Sequence, residues 1–101
     1  MSRPKSVAAA RTSYRYAQTR MIDALETGGL PRSEVSVLLD AYHSAREAYI
    51  DALFELARQH EPLSMLANAS MLADFDGEDE GIIKAIERRA RIAISLGSRF
   101  Q

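Results

Sequence analysis

The fold is decided by residues 33–60, which read SEVSVLLDAYHSAREAYIDALFELARQH. Apolar side chains recur through this stretch in steps of three and four, an unbroken seven-residue pattern typical of a helix that packs along a narrow seam. The seam positions are Val35, Leu38, Tyr42, Ala45, Tyr49, Ala52 and Leu56. Since neither glycine nor proline interrupts the stretch, we expect one long helix around which the other segments pack.

A second seven-residue pattern comes earlier in the chain and predicts a first helix over residues 5–27. Its apolar positions are Val7, Ala10, Tyr14, Ala17, Met21 and Ala24. Gly28 and Gly29 end this helix, because glycine takes the left-handed conformation of a C-cap without a Cβ clash. Pro31 or Ser33 then starts the long helix. Such a short connection makes the two helices an antiparallel hairpin.

Two further helices are predicted after this hairpin. A short apolar helix is expected over residues 62–73, and a fourth helix over residues 78–96. Asp76 and Asp79 resemble a capping box at the start of the fourth helix, and Gly97 lies past its end. The inner stripe of the fourth helix is widened by Ile92, Ile94 and Leu96. The predicted fold is an all-α helical bundle, a single domain with the third and fourth helices packed on the hairpin.

Composition narrows the function classes. The chain contains no cysteine, which excludes disulfides, cysteine nucleophiles and cysteine-based zinc sites. Its longest uncharged run, residues 62–73, is much shorter than the ~18 apolar residues of a transmembrane helix. We therefore expect a cytoplasmic protein without a membrane partner.

Charge is segregated along a chain whose net charge is only −1. Residues 1–22 carry a net +5 and residues 82–101 a net +4, whereas residues 23–61 and 62–81 carry −5 each. The candidate basic face takes cations from the first and last helices: Arg11, Arg15, Lys84, Arg88, Arg91 and Arg99. The candidate protein interface combines an acidic row on the long helix, the adjacent Phe54 and an acidic loop: Glu47, Asp51, Glu55, Phe54, Asp74, Asp76, Glu78, Asp79 and Glu80.

A second apolar patch on the long helix bears on self-association. Phe54 lies opposite the main seam, with Ile50, Leu53 and Ala57 beside it. Either the last helix or a second copy covers this patch, because a bare apolar stripe of this size is unusual for a monomer. We predict a homodimer of two hairpins.

No stretch predicts a catalytic, metal or cofactor site. The acidic residues 74–80 fail the EF-hand template, because Gly77 stands at the fourth position of such a loop and not the sixth. In the enzyme alternative, a dicarboxylate substrate would be bound by Arg11, Arg15 and Arg46. No family resemblance supports this alternative. We expect no cofactor and no enzymatic activity.

The preferred hypothesis is a non-enzymatic protein–protein interaction or regulatory module that acts through charged helix faces. An adaptor, an inhibitor and a small mobile-element protein all fit this description, and the partner is another protein as well as a second copy. The first alternative is a nucleic-acid-binding regulator that uses the basic first and last helices. Against it stands a pI of about 6.1, because a nucleic-acid-binding domain usually has a pI above ~9. The second alternative is a small all-helical enzyme.

Overall fold

The computed structural model describes residues 6–99, with side chains to residue 97, and this part of the chain is helical without any strand. Its elements are α1 (Val7–Thr27), α2 (Arg32–Arg58), α3 (Leu63–Leu66) and α4 (Glu80–Arg99), with 3-10 turns at Ala69–Met71 and Ala73–Phe75 between α3 and α4. The prediction of an all-α fold is confirmed. Residue 5 of the predicted first helix lies outside the described residues.

Both ends of α1 follow local chemistry. The Ser6 hydroxyl accepts a hydrogen bond from the Ala9 N–H at 3.1 Å, which satisfies one of the free donors of the first turn. At the other end the Gly28 N–H donates to the Ala24 carbonyl oxygen at 3.0 Å. Gly28 and Gly29 have φ values of 70° and 79°, so the predicted glycine stop is confirmed.

The start of α2 differs slightly from the prediction. The Pro31 carbonyl oxygen accepts hydrogen bonds from the N–H groups of Glu34 and Val35, at 3.0 and 3.1 Å. Pro31 is therefore the residue that precedes the helix, and Ser33 lies inside the first turn instead of capping it. Proline suits this place because its missing N–H has no helical partner there.

α1 and α2 pack against each other in antiparallel directions. Arg11, near the start of α1, contacts Tyr49 near the end of α2, whereas Arg20 lines a groove together with Leu38 from the first half of α2. Tyr14 stacks on Tyr49 with ring centroids 5.5 Å apart. The predicted hairpin is confirmed, and tyrosine rings form much of the contact between its helices.

The buried face of α2 moves away from the predicted seam toward the C-terminal end of the helix. Leu56, the last seam position, is 43% exposed, whereas Ile50 and Leu53 are buried. An α-helix with 3.6 residues per turn drifts by ~20° for each seven-residue repeat, or about 60° over three repeats. The strict repeat therefore loses the buried face by the time it reaches Leu56.

The chain divides into two compact units, and the boundary lies inside α2. We call Met1–Leu53 the hairpin unit and Phe54–Gln101 the C-terminal unit. Each unit has its own group of buried side chains. Those of the hairpin unit are Ala10, Tyr14, Ala17, Tyr49, Ile50 and Leu53, and those of the C-terminal unit are Phe54, Leu66, Ala69, Phe75, Ile82, Ile86 and Ala90. The expectation of a single domain stays a prediction.

The prediction of one helix over residues 62–73 is wrong, because only α3 is α-helical. Asn68 has φ −125° and ψ 43°, and Leu72 has φ −95° and ψ 131°, so the chain leaves the helical conformation twice. The Asn68 side-chain amide donates to the Ser64 carbonyl oxygen at 3.4 Å. Asparagine and serine compete with the helical hydrogen bonds in this way, which favours turns over a continuous helix.

α4 begins and ends later than its predicted bounds. The Asp79 carbonyl oxygen accepts hydrogen bonds from Ile82 and Ile83, both at 3.0 Å, so Asp79 directly precedes the helix. At the other end α4 runs through Gly97 to Arg99. Gly97 does not stop the helix as predicted, because it does not take the positive φ that ended α1 at Gly28.

Candidate interaction surfaces

The described cations of the candidate basic face occupy different surroundings in the two units. Lys84, Arg88 and Arg91 are exposed on α4, and their spacing of four and three residues puts them on one side of the helix. Arg11 and Arg15 belong to the hairpin unit, and the side chain of Arg99 lies outside the described residues. The structure therefore brings three of the six predicted cations together on one helix.

Arg11 contributes to the packing of the hairpin more than to a basic surface. Its Nε donates to the Tyr49 hydroxyl at 3.1 Å, and its guanidinium lies 5.6 Å from the centroid of the same ring. The side chain is half-buried, whereas Arg15, one turn further along α1, is exposed. Among the predicted basic residues of α1, Arg15 is thus the more accessible cation.

Two α4 cations make contacts of different kinds: Lys84 forms a weak surface ion pair that a partner can replace, and Arg91 contacts the segment before α4. Lys84 Nζ lies 3.1 Å from Glu80 Oε1, and both side chains are largely exposed. Such a surface pair contributes only about 0.3–0.5 kcal/mol. Arg91 Nη2 donates to the Ala67 carbonyl oxygen at 3.1 Å. The outer side of α4 therefore remains a positively charged surface.

Ile92 and Leu96 continue the line of cations along α4. They follow Lys84 and Arg88 at intervals of four residues, so the four side chains form one ridge, which we call the α4 ridge. Ile92 is 50% exposed and Leu96 46% exposed. Ile92 and Leu96 do not widen the inner stripe of α4 as predicted. The buried side chains in the described part of this helix are Ile82, Ile86 and Ala90.

The acidic row of α2 is accessible, but the adjacent aromatic is not. Glu47, Asp51 and Glu55 are exposed, and Glu47 Oε1 lies 3.9 Å from a guanidinium nitrogen of Arg46. Phe54 is only 7% exposed, so the chain itself covers this ring. The homodimer prediction loses the argument based on Phe54, and the guanidinium of Arg58 lies over this ring, 5.7 Å from its centroid.

The predicted acidic loop lies at the start of α4 and just before it. Most of its carboxylates are exposed, and Glu78 is half-buried; the set is Asp74, Asp76, Glu78, Asp79 and Glu80. Within the described residues 6–99, no three His, Asp or Glu side chains are placed to hold a metal ion. The loop is thus a charged surface whose acids are spread over a 3-10 turn and the start of a helix.

Sequence reasoning missed the role of Glu87. Its Oε2 accepts a hydrogen bond from the Ser70 N–H at 3.0 Å. This N–H, with the Ser70 hydroxyl and the charges of Arg91 and Lys84, holds the pKa of Glu87 below its ordinary value of 4.5. The sequence feature that points to this role is that Glu87 is the one acidic residue in residues 82–101, which also contain five basic residues.

The hairpin unit carries an open groove of about 380 Å³ near the loop that joins α1 and α2. Apolar side chains form most of its floor, and opposite charges stand at its rim. The lining residues are Arg20, Leu30, Ser33, Glu34, Val37 and Leu38. An exposed apolar side chain of a partner would fit there, but the groove offers no group that selects one ligand chemistry.

Within the described part of the chain, no helix is both long enough and apolar enough to cross a bilayer. Compared with known proteins, the chain matches no protein-family model, no curated protein and no solved structure.

Proposed function

We propose that this chain is a non-enzymatic helical interaction or regulatory module that acts through charged helix faces. The observation that carries the proposal is the α4 ridge, where Lys84 and Arg88 precede the exposed Ile92 and Leu96. Apolar side chains supply affinity at protein interfaces, and flanking charges supply orientation and partner selection. Roles as an adaptor, an inhibitor or a mobile-element protein, and a cytoplasmic location, are part of this proposal.

The composition of the buried positions supports an interaction role. The buried side chains in the described part of the chain are aliphatic or aromatic, with no charged or amide group among them. Enzymes usually place titratable groups in a partly buried, water-excluding site, where burial and neighbouring charges shift their pKa values. Most charged side chains of residues 6–97 are exposed instead, where they are suited to contact a partner.

Site-specific crosslinking in the native host tests this proposal. A photo-reactive amino acid at position 92 should give a discrete crosslinked product with one protein, either a second copy of the chain or a host protein, which mass spectrometry identifies. Arg88→Glu should abolish the product, whereas Arg15→Glu, the same charge change on an exposed residue of α1, should leave it intact. A yield at position 92 no greater than that at the exposed position 19 would contradict the proposal.

The nucleic-acid alternative rests on the exposed Arg88 and Arg91 of α4. Affinity for DNA requires an excess of cations that neutralise phosphates, whereas this chain carries 13 basic and 14 acidic residues. We expect no binding to random duplex or single-stranded DNA at micromolar protein and about 100 mM salt, measured by fluorescence anisotropy. Micromolar binding that is lost in high salt and in an Arg88→Glu/Arg91→Glu variant would favour this alternative.

A further inference from the structure

We infer that a second copy of this chain binds the α4 ridge through a matching ridge on α2. The inference rests on the proposed function and names one partner for it. The α2 ridge consists of four residues at intervals of four, in the hairpin unit: Leu39, His43, Glu47 and Asp51. From its N-terminal end, the α2 ridge presents an apolar side chain, an imidazole and two carboxylates. The α4 ridge presents two cations followed by two apolar side chains.

The two ridges match when the helices run antiparallel. Residues four apart lie ~6 Å apart along a helix axis and ~40° apart around it, so the two rows run alongside each other when the helices cross at about 50°. The facing pairs are Lys84 with Asp51, Arg88 with Glu47, Ile92 with His43 and Leu96 with Leu39. A parallel alignment instead sets Lys84 against Leu39 and Leu96 against Asp51, so that both of these charges face an apolar side chain of the other ridge.

Both ridges are accessible in the single chain. Leu39 is 42% exposed, close to the values for Ile92 and Leu96, and Glu47 is exposed beside it on α2. The contacts that Glu47 and Lys84 make with Arg46 and Glu80 lie at the surface. Surface ion pairs exchange readily for pairs of similar geometry, so these two contacts do not prevent docking.

Charge complementarity favours a contact between the α4 ridge of one copy and the α2 ridge of the other over a contact between two α4 ridges. Two parallel α4 ridges set cations against cations, and two antiparallel ones set Lys84 and Arg88 against Leu96 and Ile92. Neither alignment neutralises a charge, and unpaired charges at an interface select against a partner. The α2 ridge supplies two carboxylates at the spacing of the two cations, which no α4–α4 pairing does.

Charge reversal on each ridge tests the inference. Sedimentation velocity from about 10 to 200 µM at low salt should show wild-type self-association, with Kd weakened about tenfold in Arg88→Glu and in Glu47→Arg. An equimolar mixture of these two variants should recover the association, because each reversed charge then faces an opposite charge on the other variant. Arg15→Glu is the matched control and should associate like the wild type, and circular dichroism checks that all variants are folded.

Each outcome decides the inference. Dimers would indicate that each copy binds the other through both ridges, and larger oligomers would indicate head-to-tail contacts. Either result supports the inference if the mixture of the two variants recovers the association. A particle of 11.2 kDa at every concentration would overturn it, as would a mixture no more associated than its components. A monomer that still crosslinks from position 92 to an acidic host protein would overturn the inference and leave the proposed function standing.

Discussion

The hairpin unit and the C-terminal unit bury their apolar side chains by different means. In the hairpin unit, two long helices repeat the same spacing and stack Tyr14 on Tyr49 at 5.5 Å. In the C-terminal unit, a short irregular segment is joined to α4 by main-chain groups, through Ser70 to Glu87 and through Ala67 to Arg91. The difference shows that a regular repeat supports long helices, whereas an irregular segment is fixed by polar contacts to a neighbouring helix.

The strongest test of this comparison is the apolar centre of the irregular segment. Phe75 is buried, so Phe75→Ala should lower the free energy of unfolding by about 3–5 kcal/mol, since it leaves a cavity where the ring was. Urea unfolding followed by circular dichroism measures the change. Met71→Ala, at a side chain that is 83% exposed, should change stability by less than about 0.5 kcal/mol. Equal effects of the two substitutions would contradict the structure of this segment.

Removal of one hydroxyl tests the polar contact of the hairpin unit. Tyr49→Phe deletes the acceptor of the Arg11 Nε hydrogen bond but keeps the stacked ring. We expect a loss of about 1–2 kcal/mol, because a hydrogen bond from a charged donor at a half-buried place is removed. Tyr16→Phe is the control, since the Tyr16 hydroxyl lies at the surface, and it should be close to neutral in the same urea titration.

The contact between Glu87 and Ser70 should make stability depend on pH. Its folded pKa lies below the unfolded value near 4.5, so its stabilisation is complete above about that pH and is lost as the pH falls through the folded pKa. Glu87→Gln should cost about 0.5–1 kcal/mol at pH 7, and the difference from wild type should shrink at pH 3.5. Glu26→Gln, at an exposed residue of α1, controls for the loss of a carboxylate. A difference that stays constant over this range would argue against the contact.

Substitutions at the two helix ends should change stability by about 1 kcal/mol or less, with opposite signs at Gly28 and Gly97. Gly97 lies inside α4, and a Cβ there would have no neighbour within 4 Å. Gly97→Ala should therefore stabilise the chain by about 0.5 kcal/mol, because alanine loses less backbone entropy in a helix. Gly28→Ala should destabilise it by about 1 kcal/mol, since Gly28 has a positive φ. Thermal unfolding of the two variants against wild type reads out both signs.

The sequence predicted the hairpin well because its signals are local. The repeats of α1 and α2 and the glycines after Thr27 depend on residues within a few positions of one another. The segment after Pro62 is harder to predict, because an apolar run of that length is compatible with a helix or with turns. In the structure a local contact from Asn68 to Ser64 acts there together with a contact from Ser70 to Glu87, which lies 17 residues away.

The candidate surfaces were predictable to a similar degree. Spacing alone put Lys84, Arg88 and Arg91 on one side of a helix, and their exposure is confirmed. Spacing did not reveal the exposure of Ile92, because a pattern does not tell how far along a helix its neighbours extend. Nor did it reveal that Arg11 contacts Tyr49, a residue 38 positions away.

The stacked tyrosines have an optical consequence. The chain contains no tryptophan, and its tyrosines all belong to the hairpin unit: Tyr14, Tyr16, Tyr42 and Tyr49. Absorbance and fluorescence near 280 nm therefore arise from one half of the molecule, while the other half is silent there. A change of this signal on adding a ligand therefore reports on the surroundings of the tyrosines in the hairpin unit, whereas the peptide signal in the far ultraviolet reports on the helices of both units.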